Sequence, residues 1–154
     1  MIKVEALVPL LNEALEKGQD FKMPVRGTSM LPCICDKDYV VLTKPESLKK
    51  NDVIFYVREN GQYVLHRIYQ VKKDYYVLMG DNQCFKEYPI YPNQVLAKVK
   101  EVVINGEKVD NLTSFRYKLF LFFWHSRIIR KIFFPLTRRY RRWLREDKLL
   151  SYVS

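Results

Sequence analysis

The sequence offers little from which a disulfide framework or a metal site could be built. It has only three cysteines, Cys33, Cys35 and Cys84. Their number is odd, and their spacing matches neither a common disulfide scaffold nor the paired C-x-x-C pattern of a zinc site. We therefore expect reduced thiols in or near the core, and no metal or other cofactor. Internal repeats and low-complexity tracts are also absent.

Long apolar runs are missing as well. The N-terminal stretch over 1–18 contains acidic residues and Pro9, which a secretory signal peptide would lack. In the C-terminal segment the longest uncharged run is Leu119–Ser126, far shorter than the ~20 apolar residues of a spanning helix. We expect no transmembrane helix and a cytoplasmic location, with peripheral attachment to a membrane surface as a further option.

What the chain does contain is aromatic and basic. Its 154 residues suffice for one domain, and an aromatic content of 14% favours a β-rich body. The net charge of +10 is concentrated near the C-terminus. Residues 115–148 hold eleven Lys and Arg against Glu146 and Asp147, so the basicity belongs to a tail and not to the whole surface.

The hydrophobic pattern divides the chain into three parts. Apolar residues over 2–17 recur at helical spacing up to Gly18, a natural stop. Short β-branched and aromatic runs follow, with hairpin signals at Asn60-Gly61 and Asn105-Gly106. We predict a mainly β protein: an amphipathic helix over 1–20, an antiparallel sandwich or partly closed barrel over 21–111, and a basic amphipathic helical tail over 112–154, interrupted near Pro135.

Gly27-Thr28-Ser29-Met30-Leu31-Pro32 is the sharpest motif. A catalytic serine needs a turn that projects its hydroxyl and leaves backbone N–H groups for an oxyanion, with Gly27 and Thr28 as part of that turn. Gly27 permits unusual dihedral angles before Ser29, and Pro32 stiffens the chain after it. The same composition is also common in turns that are purely structural.

Two further motifs complete a candidate site. His66 lies within Val64-Leu65-His66-Arg67-Ile68, in the middle of a predicted strand, and its imidazole suits proton transfer at neutral pH. Gly80-Asp81-Asn82 follows a strand, and Asp81 could orient the imidazole as the acid of a Ser–His–Asp arrangement. Each motif also has a structural interpretation, as a strand histidine with a bonded neighbour and as an ordinary turn.

Taken together, these motifs resemble the signal peptidase I family and the related self-cleaving repressor proteases. The serine motif is similar to the family's G-x-S-M-x-P box, and Asn51-Asp52-Val53-Ile54-Phe55 resembles its G-D-hydrophobic strand. Leu65-His66-Arg67-Ile68 resembles the box that carries the general base. A His at this position, together with Gly80-Asp81-Asn82, resembles the archaeal and endoplasmic-reticulum type, whereas most bacterial members have Lys. The resemblance covers about residues 21–104.

The resemblance implies an antiparallel β catalytic core and a serine endopeptidase that cleaves precursor or leader peptides. Ser29 would be the nucleophile, His66 the base and Asp81 the orienting acid, with small side chains preferred before the scissile bond. The family's acidic residue shortly after Gly-Asp-Asn has no direct counterpart, and Glu87 is the nearest acid. Gly27 stands where some members have a hydroxyl residue, so the oxyanion would depend on backbone N–H groups, chiefly that of Ser29.

Other functions remain open at this point. The fold could serve as a non-catalytic peptide-binding module, in which Ser29 and His66 are structural. The segment over 115–145 mixes aromatic with basic residues, which is typical of a helix on an anionic membrane surface. Docking on the β domain or on a partner protein is the second option for this tail, and nucleic-acid binding the third.

Overall fold

The N-terminal helix packs on the body of the protein and ends as expected. A computed structural model describes residues 4–31, 33–104, 106–109, 115–124 and Ser126. Helix α1 (Val4–Glu16) runs through Pro9 and buries Leu11 and Leu15. Gly18 follows with φ of +70°. Its N–H donates to the Leu15 carbonyl at 3.1 Å, and the Gln19 N–H donates to the Ala14 carbonyl at 2.9 Å. This is a Schellman C-cap, which requires the left-handed conformation that glycine adopts easily.

Eight strands among the described residues form one antiparallel sheet. They pair in the order β1-β2-β7-β3-β4-β5-β6, and β8 pairs with β7. The mainly β prediction is confirmed, but the expected partial closure is not, because the pairing order ends at β1 and β6. The strands are β1 (Phe21–Pro24), β2 (Tyr39–Thr43), β3 (Val53–Val57), β4 (Tyr63–Val71), β5 (Tyr76–Met79), β6 (Glu87–Ile90), β7 (Val95–Ile104) and β8 (Glu107–Val109).

The sheet is buried on both faces around β3. Successive side chains of a strand point to opposite faces, so Phe55 joins one hydrophobic cluster while Ile54 and Tyr56 join the other. The first cluster also receives Leu11 and Leu15 from α1. Since four consecutive residues of β3 are buried, polar groups on its neighbour β4 are held in a largely dry environment.

The hairpin predicted at Asn60-Gly61 is present between β3 and β4. Gly61 has φ of +82°, and the Arg58 N–H donates to the Gln62 carbonyl at 2.8 Å to close the turn. Strand β6, by contrast, was not expected, because Glu87-Tyr88-Pro89-Ile90 combines a charge with a proline. Such a sequence is tolerated at the edge of a sheet, where β6 lies.

Helix α2 (Phe115–Trp124) lies within the predicted helical tail. Leu121 is 8% exposed and Trp124 only 3%, so the helix docks on the β domain through these side chains, as one of the three options for the tail foresaw. The rest of the predicted tail helix lies outside the described residues. No helix in the described part of the chain is long and apolar enough to cross a membrane.

The three cysteines lie in different environments. Cys33 is buried and Cys35 partly buried, which agrees with thiols in or near the core. Cys84 is exposed, and there the expectation is wrong, because this residue lies in the loop that leads to the edge strand β6.

Candidate active site

The serine motif forms a turn directly after β1. Gly27 has φ of +94°, a conformation that favours glycine and that lets the chain reverse just before the serine. The Gly27 N–H donates to Asp36 Oδ1 at 3.0 Å, and the Leu31 N–H donates to the Thr28 carbonyl at 3.3 Å. Ser29 is partly buried at this turn.

The Gly80-Asp81-Asn82 loop holds the serine turn in place. The Asn82 N–H donates to the Ser29 carbonyl at 2.7 Å, and Asn82 Nδ2 donates to the Thr28 carbonyl at 2.8 Å. A Cβ added to Gly80 would come within 2.8 Å of the Ser29 carbonyl oxygen. Both the absence of a side chain at Gly80 and the amide of Asn82 are therefore needed for this close approach.

His66 projects from β4 into a buried polar cluster. It lies opposite Ile54 of β3 and is 0% exposed. Its Nδ1 atom is 3.2 Å from the Tyr56 hydroxyl and 3.2 Å from Glu87 Oε1. Its Nε2 atom is buried with no hydrogen-bond partner among the described residues.

The hydrogen-bond pattern assigns the imidazole tautomer. The Tyr56 hydroxyl donates its single proton to Glu87 Oε2 at 2.7 Å, so toward His66 its oxygen can only accept. An ionised Glu87 carboxylate is also only an acceptor. The proton between these groups must then be on Nδ1 of His66, which leaves the lone pair of a neutral imidazole on Nε2.

Glu87 is held in its charged form by the same cluster. Arg58 Nε donates to Glu87 Oε2 at 2.9 Å, and Arg58 Nη2 donates to the other carboxylate oxygen. Burial alone would raise the pKa of Glu87, but hydrogen bonds from His66, Arg58 and Tyr56 outweigh it and keep that pKa well below its usual range. Burial and the contact with Glu87 raise the pKa of Tyr56, which keeps its hydroxyl protonated.

Asp81 has a different partner from the one expected. Its two carboxylate oxygens accept from Arg67 Nε at 2.7 Å and from Arg67 Nη2 at 2.6 Å, and both side chains are 0% exposed. Arg67 Nη1 also donates to the Asn51 carbonyl at 2.8 Å. Adjacent residues of a strand point to opposite faces. Arg67 and its partner Asp81 therefore lie on the face of the sheet opposite to His66.

Ser29 and His66 line one cavity of about 280 Å³. This is close to the lower end of the ~300–1,000 Å³ of sites that bind small ligands. The wall of the cavity is mixed, because Arg26, Arg58 and Gln83 line it together with Ser29, His66 and a set of hydrophobic residues. Its hydrophobic lining comprises Val4, Met23, Pro24, Val25, Met30, Phe55, Tyr63, Val64 and Leu65.

Sequence reasoning singled out the serine turn and the histidine and named Glu87 as the nearest acid, but it did not connect Tyr56, Arg58 or Glu87 with His66. Tyr56 and Arg58 belong to the hydrophobic strand β3 and its turn, and Glu87 belongs to the strand that was not predicted. The contact between Tyr56 and His66 could have been found from the sequence. Side chains alternate between the faces of β3 and β4, and the Asn60-Gly61 hairpin fixes the register so that these two residues share a face.

Comparison with known families agrees with the fold. The family described as Peptidase S24-like matches residues 2–104, which include α1, the serine turn, His66 and Glu87. The chain belongs to this family. No curated protein matches the chain. Among the described residues, no group of three or more His, Cys, Asp or Glu side chains could hold a metal ion.

Proposed function

We propose that this protein is a serine endopeptidase with Ser29 as nucleophile, His66 as general base and Glu87 as the acid that orients the base. One observation carries the proposal. His66 is held through Nδ1 by Tyr56 and Glu87, while its unpartnered Nε2 is buried and the residue lines the same cavity as Ser29. A merely structural histidine in a dry strand is expected to have both ring nitrogens bonded.

The reaction follows the general pattern of serine peptidases. Nε2 of His66 removes the hydroxyl proton as Ser29 Oγ attacks the peptide carbonyl carbon, and the resulting imidazolium is stabilised by Glu87. The same proton passes to the leaving amine, which breaks the C–N bond and leaves an ester on Ser29. His66 then takes a proton from water, whose hydroxide attacks the ester, and returns it to Ser29 Oγ as the carboxylic acid product leaves.

The oxyanion of the tetrahedral intermediate needs donors from the serine turn. The Gly27 N–H is already bonded to Asp36, so in this proposal the N–H groups of Thr28 and Ser29 remain for the oxyanion. Asn82 supports them indirectly, because it fixes the carbonyls of the same two residues. Preorganised donors of this kind typically contribute ~10²- to 10³-fold each to the rate.

Precursor or leader peptides with a small apolar residue before the scissile bond are the proposed substrates. Within the cavity, Val25, Met30 and Phe55 offer apolar contacts to such a side chain. The resemblance of the serine and histidine boxes to signal peptidase I supports the same class of substrate. Asp81 is assigned a structural role here, since its carboxylate is fully engaged by Arg67.

The test compares the wild-type protein with Ser29→Ala and His66→Ala in a diverse peptide mixture, with new termini identified by mass spectrometry. We expect cleavage by the wild type, at sites that follow small apolar residues, and none by either variant. Circular dichroism of all three proteins checks that they are folded. Thr43→Ala, a β2 hydroxyl that does not line the cavity, is the matched control for Ser29→Ala and is expected to cleave as the wild type does.

Peptide retention without cleavage is the outcome that would replace this proposal. If folded wild type cuts nothing but binds peptides in the Ser29 cavity, the protein is a non-catalytic binding module with the family's fold. Cleavage that survives in Ser29→Ala would exclude the serine as nucleophile. Cleavage that survives in His66→Ala at the wild-type rate would exclude the histidine as base.

A further inference from the structure

A basic depression lies on the surface outside the catalytic cavity. It is lined by Lys49 and Lys50 before β3, by the end of β4, and by Lys86 before β6. Lys86 Nζ sits 3.9 Å from the centre of the Tyr69 ring, which holds it at this place. The lining contains three lysines and no carboxylate and shares no residue with the Ser29 cavity. Ammonium groups grouped in this way favour an anionic partner.

The depression adjoins the helix that leads into the basic tail. The Tyr69 ring is 6.1 Å from the ring of Trp124, the last residue of α2. Helix α2 therefore ends beside the depression. In the sequence, the residues from 127 to 148 contain nine Lys and Arg.

Large apolar side chains are exposed on the elements that line or adjoin the depression. Phe122 of α2 is 76% exposed and Phe85, the neighbour of Lys86, is 58% exposed. Leu119 and Val71 are 46% and 43% exposed, and Val71 lines the depression itself. Lysines beside protruding aromatic and aliphatic side chains are typical of surfaces that rest at a membrane interface.

We propose that this face, here called the Lys49 face, docks the protein on an anionic phospholipid bilayer. It comprises Lys49, Lys50 and Lys86 with Phe85 and Phe122. The lysines bind the headgroups, and the phenylalanines enter the boundary between headgroups and acyl chains. Aliphatic Val71 and Leu119 favour a lipid surface over nucleic acid, because they gain from burial among acyl chains and cannot stack on bases as aromatic rings do.

Vesicle binding of the full chain tests the proposal. Co-sedimentation is measured with vesicles of phosphatidylcholine that contain phosphatidylglycerol, and with vesicles of phosphatidylcholine alone. Lys49→Glu combined with Lys50→Glu is expected to weaken binding to the anionic vesicles by at least roughly 30-fold, since the loss of each lysine near the surface contributes about fivefold and the new carboxylates are repelled. Neutral vesicles are expected to bind weakly with or without the substitutions.

Matched variants distinguish binding through the Lys49 face from a general effect of the protein's net charge. Lys22→Glu combined with Lys37→Glu makes the same charge change on exposed lysines near β1, at the other end of the strand order, and is expected to weaken binding less than about threefold. Phe122→Ser is expected to weaken binding, whereas Leu10→Ser, at an exposed leucine of α1, is not.

Three results would overturn the proposal. Equal loss of binding in the two double variants would mean that net charge, and not the Lys49 face, drives the interaction. Equal binding to neutral and anionic vesicles would mean that anionic headgroups are not recognised. Binding of RNA or DNA with no binding of vesicles would assign the basic face to nucleic acid. The Ser29→Ala variant is expected to bind vesicles as the wild type does, so the outcome is independent of whether the protein is a peptidase.

Discussion

Glu87 is the residue that connects the hydrogen bonds of the candidate site. Its two oxygens take hydrogen bonds from Tyr56 and Arg58 and lie against Nδ1 of His66. Hydrogen bonds from His66, Arg58 and Tyr56 lower the pKa of Glu87 and keep its carboxylate ionised. The Tyr56 hydroxyl donates its proton to Glu87, so only its oxygen faces the imidazole. The cluster thus specifies both the charge of Glu87 and the tautomer of His66.

Glu87→Gln should therefore disable catalysis without unfolding the protein. The amide keeps the shape of the side chain but replaces the charge and can present an N–H toward Nδ1, which favours the wrong tautomer. We expect kcat/KM to fall by roughly 10²- to 10⁴-fold, measured on a peptide that the wild type cleaves. Glu59→Gln, in the exposed turn after β3, is the control. Full activity of Glu87→Gln would show that the acid has no role in the reaction.

The lowered pKa of Glu87 also predicts how stability depends on pH. A carboxyl whose pKa is lower in the folded than in the unfolded protein stabilises the fold above its unfolded pKa of about 4.3. This contribution is lost as the pH falls through the folded pKa. We expect the free energy of unfolding, measured with urea, to decline below about pH 4.3, and to decline less steeply in Glu87→Gln. Identical slopes in the two proteins would contradict the assignment.

At the scale of elements, the loop after β5 acts as a clamp for the turn after β1. Asn82 bonds the carbonyls of Thr28 and Ser29, and Gly80 allows the two backbones to touch. The Gly-Asp-Asn motif of this protein thus positions Ser29, the proposed nucleophile, through its first and third residues. Its second residue, Asp81, faces Arg67.

Gly80→Ala should displace the serine turn. The added Cβ would meet the Ser29 carbonyl oxygen at 2.8 Å, a contact that forces the backbone to shift. We expect a loss of about 1–3 kcal/mol in the free energy of unfolding and a fall in kcat of roughly 10- to 100-fold. Gly61→Ala, strained by its positive φ, is expected to cost about 1 kcal/mol with unchanged kcat. Equal effects on kcat would mean that Gly80 acts through stability alone.

Helix α2 is a structural part of the β domain through one of its faces. Trp124→Ala should cost about 3–5 kcal/mol, because a large side chain that is 3% exposed leaves a cavity. Phe122→Ala should cost almost nothing, since that side chain is 76% exposed. Urea unfolding of the two variants measures both values. A negligible cost for Trp124→Ala would mean that the helix is not docked in solution.

The sequence predicted the elements with strong periodicity or clear turn signals. Helix α1 with its stop at Gly18 and the Asn60-Gly61 hairpin between β3 and β4 appear where the pattern put them. Strand β6 could not be predicted, because its formation depends on pairing with β5 and not on its own composition. The contact between Glu87 and His66 could not be predicted for the same reason, since Glu87 reaches the histidine only through that pairing.

At the scale of the whole molecule, the buried pair of Arg67 and Asp81 connects distant parts of the chain. Arg67 belongs to β4 and bonds the Asn51 carbonyl before β3. The Arg67 guanidinium lies 5.8 Å from the ring centre of Trp124 in α2. The Asp81 carbonyl accepts from Trp124 Nε1 at 3.4 Å. One ion pair therefore ties together two strands, the clamp loop and the C-terminal helix.

Asp81→Asn should consequently be a stability variant. Removing one charge leaves the Arg67 guanidinium buried without its counter-ion, which costs about 3–5 kcal/mol. We expect a large drop in the urea midpoint, while the molecules that remain folded keep a kcat within about tenfold of wild type. This is the reverse of the pattern expected for Glu87→Gln. If Asp81→Asn lost activity at unchanged stability, the catalytic acid would be Asp81 after all.

The distance along the chain between the parts of the site has a consequence for protein synthesis. The serine turn is made early, but the loop that clamps it and the strand that brings Glu87 to the histidine follow more than fifty residues later. Strand β7 joins β2 to β3, so a ribosome must release the chain through β7 before Ser29, His66 and Glu87 can be brought together. The nascent protein thus carries its serine in an unassembled state, and proteolytic activity, in the proposed function, begins only when the sheet is nearly complete.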